Sequence, residues 1–442
     1  MAMTVTGNHC YLQCARRSWE KLIHQVPKRF IRRSYLLALG GFGALLVGGP
    51  AVWAAPALTT LATFNQPNGV NPDGPLIADA AGNLYGTTYY GGASGFGTVF
   101  QVAAGTHTLS TLATFNSFNG SNPSAGLIAD AAGNLYGTTQ SGGLSNDGTV
   151  FQIAAGTHAL STLVAFSGSN GIAPQAGLIA DSAGNLYGTT GGGGGAAGAG
   201  TVFEIAAGTH VLTTLATFNI NNGNGPSGKL IADAAGNLYG TTFAGGTTGV
   251  GTVFEITAGT HALSTLSNFG TGYHPKAGLI ADAAGNLYGT TEYGGAGGGG
   301  TLYEITAGTH VFSTLATFNG SNGNGPSGEL IADAAGNLYG TTTNGGANNH
   351  GTVFQIAAGT NAISTLATFN GSNGATPQAG LIADAAGNLY GTTYEGGFVN
   401  YGTVFEITNS GFAAAVPEPA AVSLIGLAGL GLLARRRRSA NG

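Results

Sequence analysis

The sequence predicts an all-β protein, a seven-bladed β-propeller of four-stranded blades, and three observations lead there. The phrase LIADAAGNLYGTT recurs in near-identical form from Leu76, Leu127, Leu178, Leu230, Leu279, Leu330 and Leu381. Successive starts lie 51, 51, 52, 49, 51 and 51 residues apart, a period that suits one supersecondary unit repeated in tandem. Each unit holds four short strand patterns separated by Gly-containing turns, and no helical period runs through the repeats.

The unit from Gly126 to Asn170 serves for all. Leu127-Ile128-Ala129 is a short apolar strand, A, ending at Asp130. Asp-Ala-Ala-Gly then suits a type I turn closed by a left-handed Gly133, which leads into strand B, Asn134 to Thr139. A variable Gly-rich loop precedes strand C, Gly148 to Ile153. Ala154-Ala155-Gly156-Thr157 makes a second tight turn, and strand D follows from Ala159 to Phe166 among β-favouring Ser and Thr.

Strand counting at the ends favours a ring. The last unit supplies A, B and C and stops after Thr408, whereas the repeats open with an orphan D-type strand, Ala57 to Phe64. Seven complete blades are expected if that N-terminal strand completes the last blade, an arrangement that closes the ring and leaves no open sheet edge. The competing architecture is a stacked β-helix, whose strands pair between coils rather than within one.

Charge divides the chain into three parts. Of 13 basic residues, seven lie before residue 34 and four form the run Arg435, Arg436, Arg437, Arg438. The repeats keep only Lys229 and Lys276 against 16 carboxylates, so nucleic acid is excluded as a partner for want of a phosphate-neutralising patch. Both cysteines, Cys10 and Cys14, sit in the leader as a Cys-x-x-x-Cys pair with no second pair to complete a metal site, so no disulfide holds the repeats. Residues 1–54 read as an export signal, with Arg32-Arg33 before an apolar run and a small-residue cleavage site at Val52 and Ala54. Sec and twin-arginine export both fit this leader. Residues 55–412 form the propeller, and 413–442 a C-terminal tail.

That tail holds Pro417, Glu418 and Pro419, a 15-residue apolar segment from Ala420 to Ala434, and then the arginine run. The segment is short for a stable membrane span, which takes about 20 residues. The order resembles the PEP-CTERM sorting signal of Gram-negative bacteria. The resemblance implies recognition by the export machinery and processing by an exosortase, with transient membrane anchoring through the tail. It also implies placement in the outer envelope, at the cell surface or in the extracellular matrix. A plain C-terminal anchor would fit the same three features.

The repeat itself, Asp-Ala-Ala-Gly-Asn-Leu-Tyr-Gly-Thr-Thr followed by Gly-Gly and Gly-Thr-Val-Phe-Glu/Gln-Ile, resembles the GloVer tandem-repeat family over about residues 57–408. That resemblance implies architecture and export and carries no activity with it. Kelch repeats share the period and the Gly-Gly after strand B, as at Gly91-Gly92, but their spaced Tyr and Trp are missing.

Two faces of the ring are candidates for chemistry. The A–B and C–D turns share one face and barely vary, so a ring of Asp79-type carboxylates and His107-type imidazoles is one metal reading. The simpler reading has each Asp capping its own turn and each His bonding nearby backbone, blade by blade; no metal and no cofactor is called for. The B–C and D–A loops share the opposite face and diverge, which is where recognition usually sits on a rigid scaffold. Tyr89, Tyr90, Phe96, Tyr293, Tyr394 and Tyr401 are the candidate binding residues there, because tyrosines beside Asn, Ser and Gly make adaptable contacts to sugars or proteins. No catalytic constellation stands out: His274 and His350 lack a carboxylate nearby in sequence, and nothing selects among Asp147, Glu292 and Glu395.

The expectation is an exported, envelope-anchored or matrix-associated protein with a binding or structural role. Extracellular polysaccharide, or a surface protein, is the expected partner. A secreted polysaccharide hydrolase or lyase on the same scaffold is the alternative.

Overall fold

The computed structural model describes residues 54–270 and 273–414. The export leader and the sorting residues Pro417, Glu418, Pro419 and Arg435 to Arg438 lie outside them. The described residues form seven antiparallel sheets, each a blade of a ring. In blade 2 the strands are A, Ile128–Ala129; B, Leu135–Thr139; C, Thr149–Ile153; and D, Leu160–Ala165, paired in that order.

Local chemistry sets each turn as expected. The Gly133 amide donates to Asp130 O at 3.0 Å, and Gly133 sits at φ 83, which a side chain would strain. Asp130 Oδ1 accepts from the amides of Ala132 and Asn134, and Oδ2 from the Asn134 side chain and the Tyr136 hydroxyl. Asn134 Oδ1 in turn accepts from Ala155 N at 2.9 Å, tying the A–B turn to the C–D turn. The histidine half of the simpler reading needs correcting. His158 contributes its backbone: it adopts φ 54, and its amide donates to Ala154 O at 2.9 Å. Asn361 takes the same slot in blade 6 because Asn also tolerates that conformation.

The core lies between blades. Val99 and Phe115 of blade 1 pack on Leu127, Leu135, Phe151 and Ile153 of blade 2. Phe115 and Phe151 meet edge to face at 5.0 Å, and this pair recurs around the ring. The Phe151 ring lies over Gly137, where a Cβ would come within 2.6 Å of it, so the Gly of each Tyr-Gly-Thr-Thr is required by packing. The next threonine binds blade to blade: Thr138 Oγ1 donates to Ala176 O at 3.2 Å.

Blade 7 draws on both ends of the repeats. Its strand A is Ile382–Ala383, B is Leu389–Thr393 and C is Thr403–Thr408, and Ala57–Thr63 pairs antiparallel with C from Ala57↔Thr408 to Thr63↔Thr403. Every C–D ladder, this one included, carries a register shift at the same point. Such bulges increase the twist of the outer strand.

Strand A departs from the sequence expectation. It comes in two halves, clearest in blade 1, where Val70–Pro72 and Ile77–Ala78 both pair with strand B. The intervening residues leave the sheet and face the axis of the ring. The part of the D–A segment read as loop therefore becomes the channel wall.

Candidate functional site

The residue after each D–A proline reaches this wall, giving Asp73, Ser124, Gln175, Ser227, Lys276, Ser327 and Gln378 around the channel. Two residues on, Pro75, Lys229 and Glu329 alternate with glycines in a second tier. Together they enclose about 470 Å³. Tyr89 and Gln140, from the ends of strands B in blades 1 and 2, close one side of it towards the loop face.

All four charges of this wall are half-buried. Burial pushes the Asp73 carboxyl up to about 6, with the Lys276 ammonium opposing the shift. Glu329 is likewise raised by burial and opposed by Lys229. Lys276 reaches from blade 5 to blade 7, where Nζ donates to Gln378 Oε1 at 3.3 Å. Lys229 extends past Gly177, at ordinary van der Waals distance from where a Cβ there would stand. Ser124 Oγ is buried with no hydrogen-bond partner among the described residues.

The candidate tyrosines divide into groups. Tyr89, Tyr90 and Tyr394 come together above Asp73, although Tyr394 belongs to blade 7. Tyr89 and Tyr90 meet edge to face at 4.5 Å, and the Tyr89 hydroxyl donates to Gln140 Oε1. Tyr394 is pushed up to about 12, first by burial, then by Asp73 and the two tyrosines. Asn71 holds this seam: its side chain donates to Tyr394 O at 2.7 Å and its amide to Tyr401 O at 2.9 Å.

The other candidates lie elsewhere. Tyr401 packs on the hydrophobic layer between blades 7 and 1, a structural position. Phe96 is 38% exposed in its own B–C loop. Tyr293 is 48% exposed in blade 5, donates to Glu292 at 3.3 Å, and meets His274 edge to face. His274 itself stacks on Phe243 and bonds its carbonyl, repeating the Asn71 role.

Sequence reasoning passed over Asp73, Lys276, Lys229 and Glu329, yet a signal was there. The only two basic residues of the repeats both sit at repeat-breaking positions of the D–A segment. On the opposite face, among the described residues, no three His, Cys, Asp or Glu side chains gather as metal ligands. The Asp79-type carboxylates are engaged in their own turns. Burial opposes their ionisation, but hydrogen bonds from Asn83, Tyr85 and Ala81 hold Asp79 below the usual carboxylate range.

Comparison with known proteins places these features. The model of the Gloeobacter/Verrucomicrobia repeat matches residues 51–195, 130–282 and 268–416. The model of the PEP-CTERM protein-sorting motif matches residues 415–438. No curated protein sequence matches. Among solved structures, two of the extracellular domain of a B. thetaiotaomicron protein, described as a hybrid two component system in one and as a one component system in the other, align at TM-scores of 0.51 and 0.50 with 11% and 10% identity. The alignments cover 76% of this chain and 38% of those chains, so the chain spans under half the length of those relatives. A protein described as a 6-phosphogluconolactonase, from Bacteroides fragilis NCTC 9343, aligns at 0.48 with 18% identity, over 70% of this chain and 86% of that one. These likenesses bear on the fold alone.

Proposed function

The chain belongs to the Gloeobacter/Verrucomicrobia repeat family, and from that premise we propose that this exported propeller binds carbohydrate through its loop face and channel. One observation carries the reading. A channel of about 470 Å³ is lined by amide, hydroxyl and carboxyl groups, with Tyr89 at its edge. Sugars present hydroxyls that need such planar polar partners, and C–H faces that need aromatic rings. The volume lies in the range of small-ligand sites.

The PEP-CTERM motif accounts for export and for processing by an exosortase. The tail also supports an orientation. Ala414 and Ala57 both lie at the turn-face end of blade 7, since Ala57 pairs with Thr408 and Ala413 bonds the A–B turn of blade 6. A tail leaving from that face directs the loop face away from the membrane, towards surface polysaccharide or a surface protein.

A second reading, a hydrolase or lyase, is favoured by Asp73. A carboxyl titrating at about 6 is suited to donate a proton near neutral pH. The full chain, purified in mild detergent, would be incubated with the producing organism's exopolysaccharide, following co-sedimentation and release of reducing ends. Retention without release supports binding. Release that is abolished by Asp73→Asn supports catalysis instead. The absence of both retention and release overturns the carbohydrate reading.

A further inference from the structure

Neighbouring blades leave a crevice between them on the turn face. Between blades 1 and 2 it encloses about 260 Å³ over Ile77, Leu112, Leu135 and Ile153, with Asp79 and Tyr85 on its rim. Its counterparts between blades 2 and 3 and between blades 5 and 6 enclose about 240 and 310 Å³.

The crevice between blades 6 and 7 is filled by the chain itself. Blade 7 has no C–D turn, because its strand D comes from the other end of the repeats. The chain instead runs on from Asn409, and Phe412 packs where Ile331, Leu366, Leu389, Ile407 and Tyr339 repeat the floor and rim of the open crevices. The Phe412 ring lies 5.0 Å from that of Tyr339, which is 0% exposed, whereas Tyr85 is only half-buried. The backbone of the segment is held as well. Ser410 Oγ donates to Gly387 O at 2.6 Å, and the Ala334 amide of the A–B turn donates to Ala413 O at 2.9 Å. In blade 1 the residue equivalent to Ala334, Ala80, stands exposed at the crevice rim.

We propose that the open crevices are docking sites for an extended segment of another polypeptide with the chemistry of Ser410–Ala413, an aromatic residue flanked by small uncharged ones. The ring covers the apolar floor, and the rim offers an amide to the backbone that follows it. Asp79-type carboxylates on the rim disfavour acidic flanks. Several such crevices around one ring would let weak individual contacts add by avidity to a multivalent partner. This site lies on the face opposite the channel, so its failure leaves the carbohydrate reading standing, and the reverse.

The test uses the full chain and the peptide Asn-Ser-Gly-Phe-Ala-Ala, with benzoylphenylalanine in place of its Phe as a photolabel and adducts mapped by mass spectrometry. Adducts are expected at crevice residues such as Leu135 and Ile153. Excess unlabelled peptide should lower them at least tenfold, and the same peptide with Phe replaced by Ala should not. In Ala155→Trp, at an exposed position that lines the crevice between blades 1 and 2 and not the one between blades 2 and 3, adducts at Leu135 should fall while those at Leu186 of the next blade persist. Adducts scattered outside the crevices, equal competition by the Ala peptide, or labelling of Leu135 unchanged in Ala155→Trp would each overturn the proposal.

Discussion

The Tyr89 hydroxyl donates a 2.7 Å hydrogen bond to Oε1 of Gln140, joining blade 1 to blade 2 at the mouth of the channel. The bond anchors the Tyr89 ring, which lines the channel together with Asp73. Tyr89→Phe keeps the ring and frees the amide, so carbohydrate affinity should fall by only a few fold. Tyr89→Ala removes the ring as well and should cost up to about tenfold, in line with about 0.5–1.5 kcal/mol for an aromatic contact. Titration calorimetry with the retained polysaccharide, alongside thermal unfolding, would separate loss of binding from loss of fold.

Asp73 sets a pH dependence. Its folded pKa, pushed up to about 6, lies above the ordinary carboxylate value, so ionisation is penalised in the folded state. The stability linked to this group is present below about pH 4 and is lost as pH rises through about 6. Asp73→Asn should therefore unfold at higher temperature than the parent at pH 8 and show no such gain at pH 4. Ligand affinity should change with a midpoint near pH 6 in the parent and lose that inflection in the variant.

One blade carries an internal defect. Tyr303 occupies the position that is Phe in the other six blades, and its hydroxyl is buried without a hydrogen-bond partner. Removing an unsatisfied buried hydroxyl stabilises, so Tyr303→Phe should raise unfolding free energy by about 1–2 kcal/mol. Denaturant titration would measure it, and an unchanged or lower midpoint would mean the hydroxyl has found a partner such as water.

Ala57–Thr63 pairs with Thr403–Thr408, so the N-terminal strand is expected to contribute to closing the ring. Truncation of residues 55–64 also removes Phe64, which is 2% exposed in the layer between blades 7 and 1. Loss of at least about 3 kcal/mol is expected from that ring alone. The bared strand C should in addition drive association, seen as a mass increase by light scattering. A monomer of undiminished stability would show that closure does not depend on this strand.

Orientation at the cell surface can be read with single cysteines, because the repeats contain none. Phe398 is 95% exposed in a B–C loop, and Thr106 is exposed in a C–D turn on the opposite face. In cells that retain the anchored protein, a membrane-impermeant maleimide should label Phe398→Cys several-fold faster than Thr106→Cys. After release from the membrane the two should react alike.

The blade is legible in the order of amino acids alone: its period, its four strands, the Asp-Ala-Ala-Gly turn and the number of copies. These are local matters, fixed by turn chemistry and alternation within about 50 residues. The sequence also marked the C-terminal end as a sorting address, and named Tyr89, Tyr90 and Tyr394 among six binding candidates. Only the tertiary structure placed Tyr394 beside Tyr89, brought Lys276 to Gln378 across the axis, and turned the D–A segment into a channel wall. It also moved Tyr401 from the candidate surface into packing, and seated Phe412 in a crevice that six other blades could not have announced. The physical reason is ring closure, which sets residues hundreds of positions apart against one another. No local pattern encodes which residues a closed ring will gather at its axis.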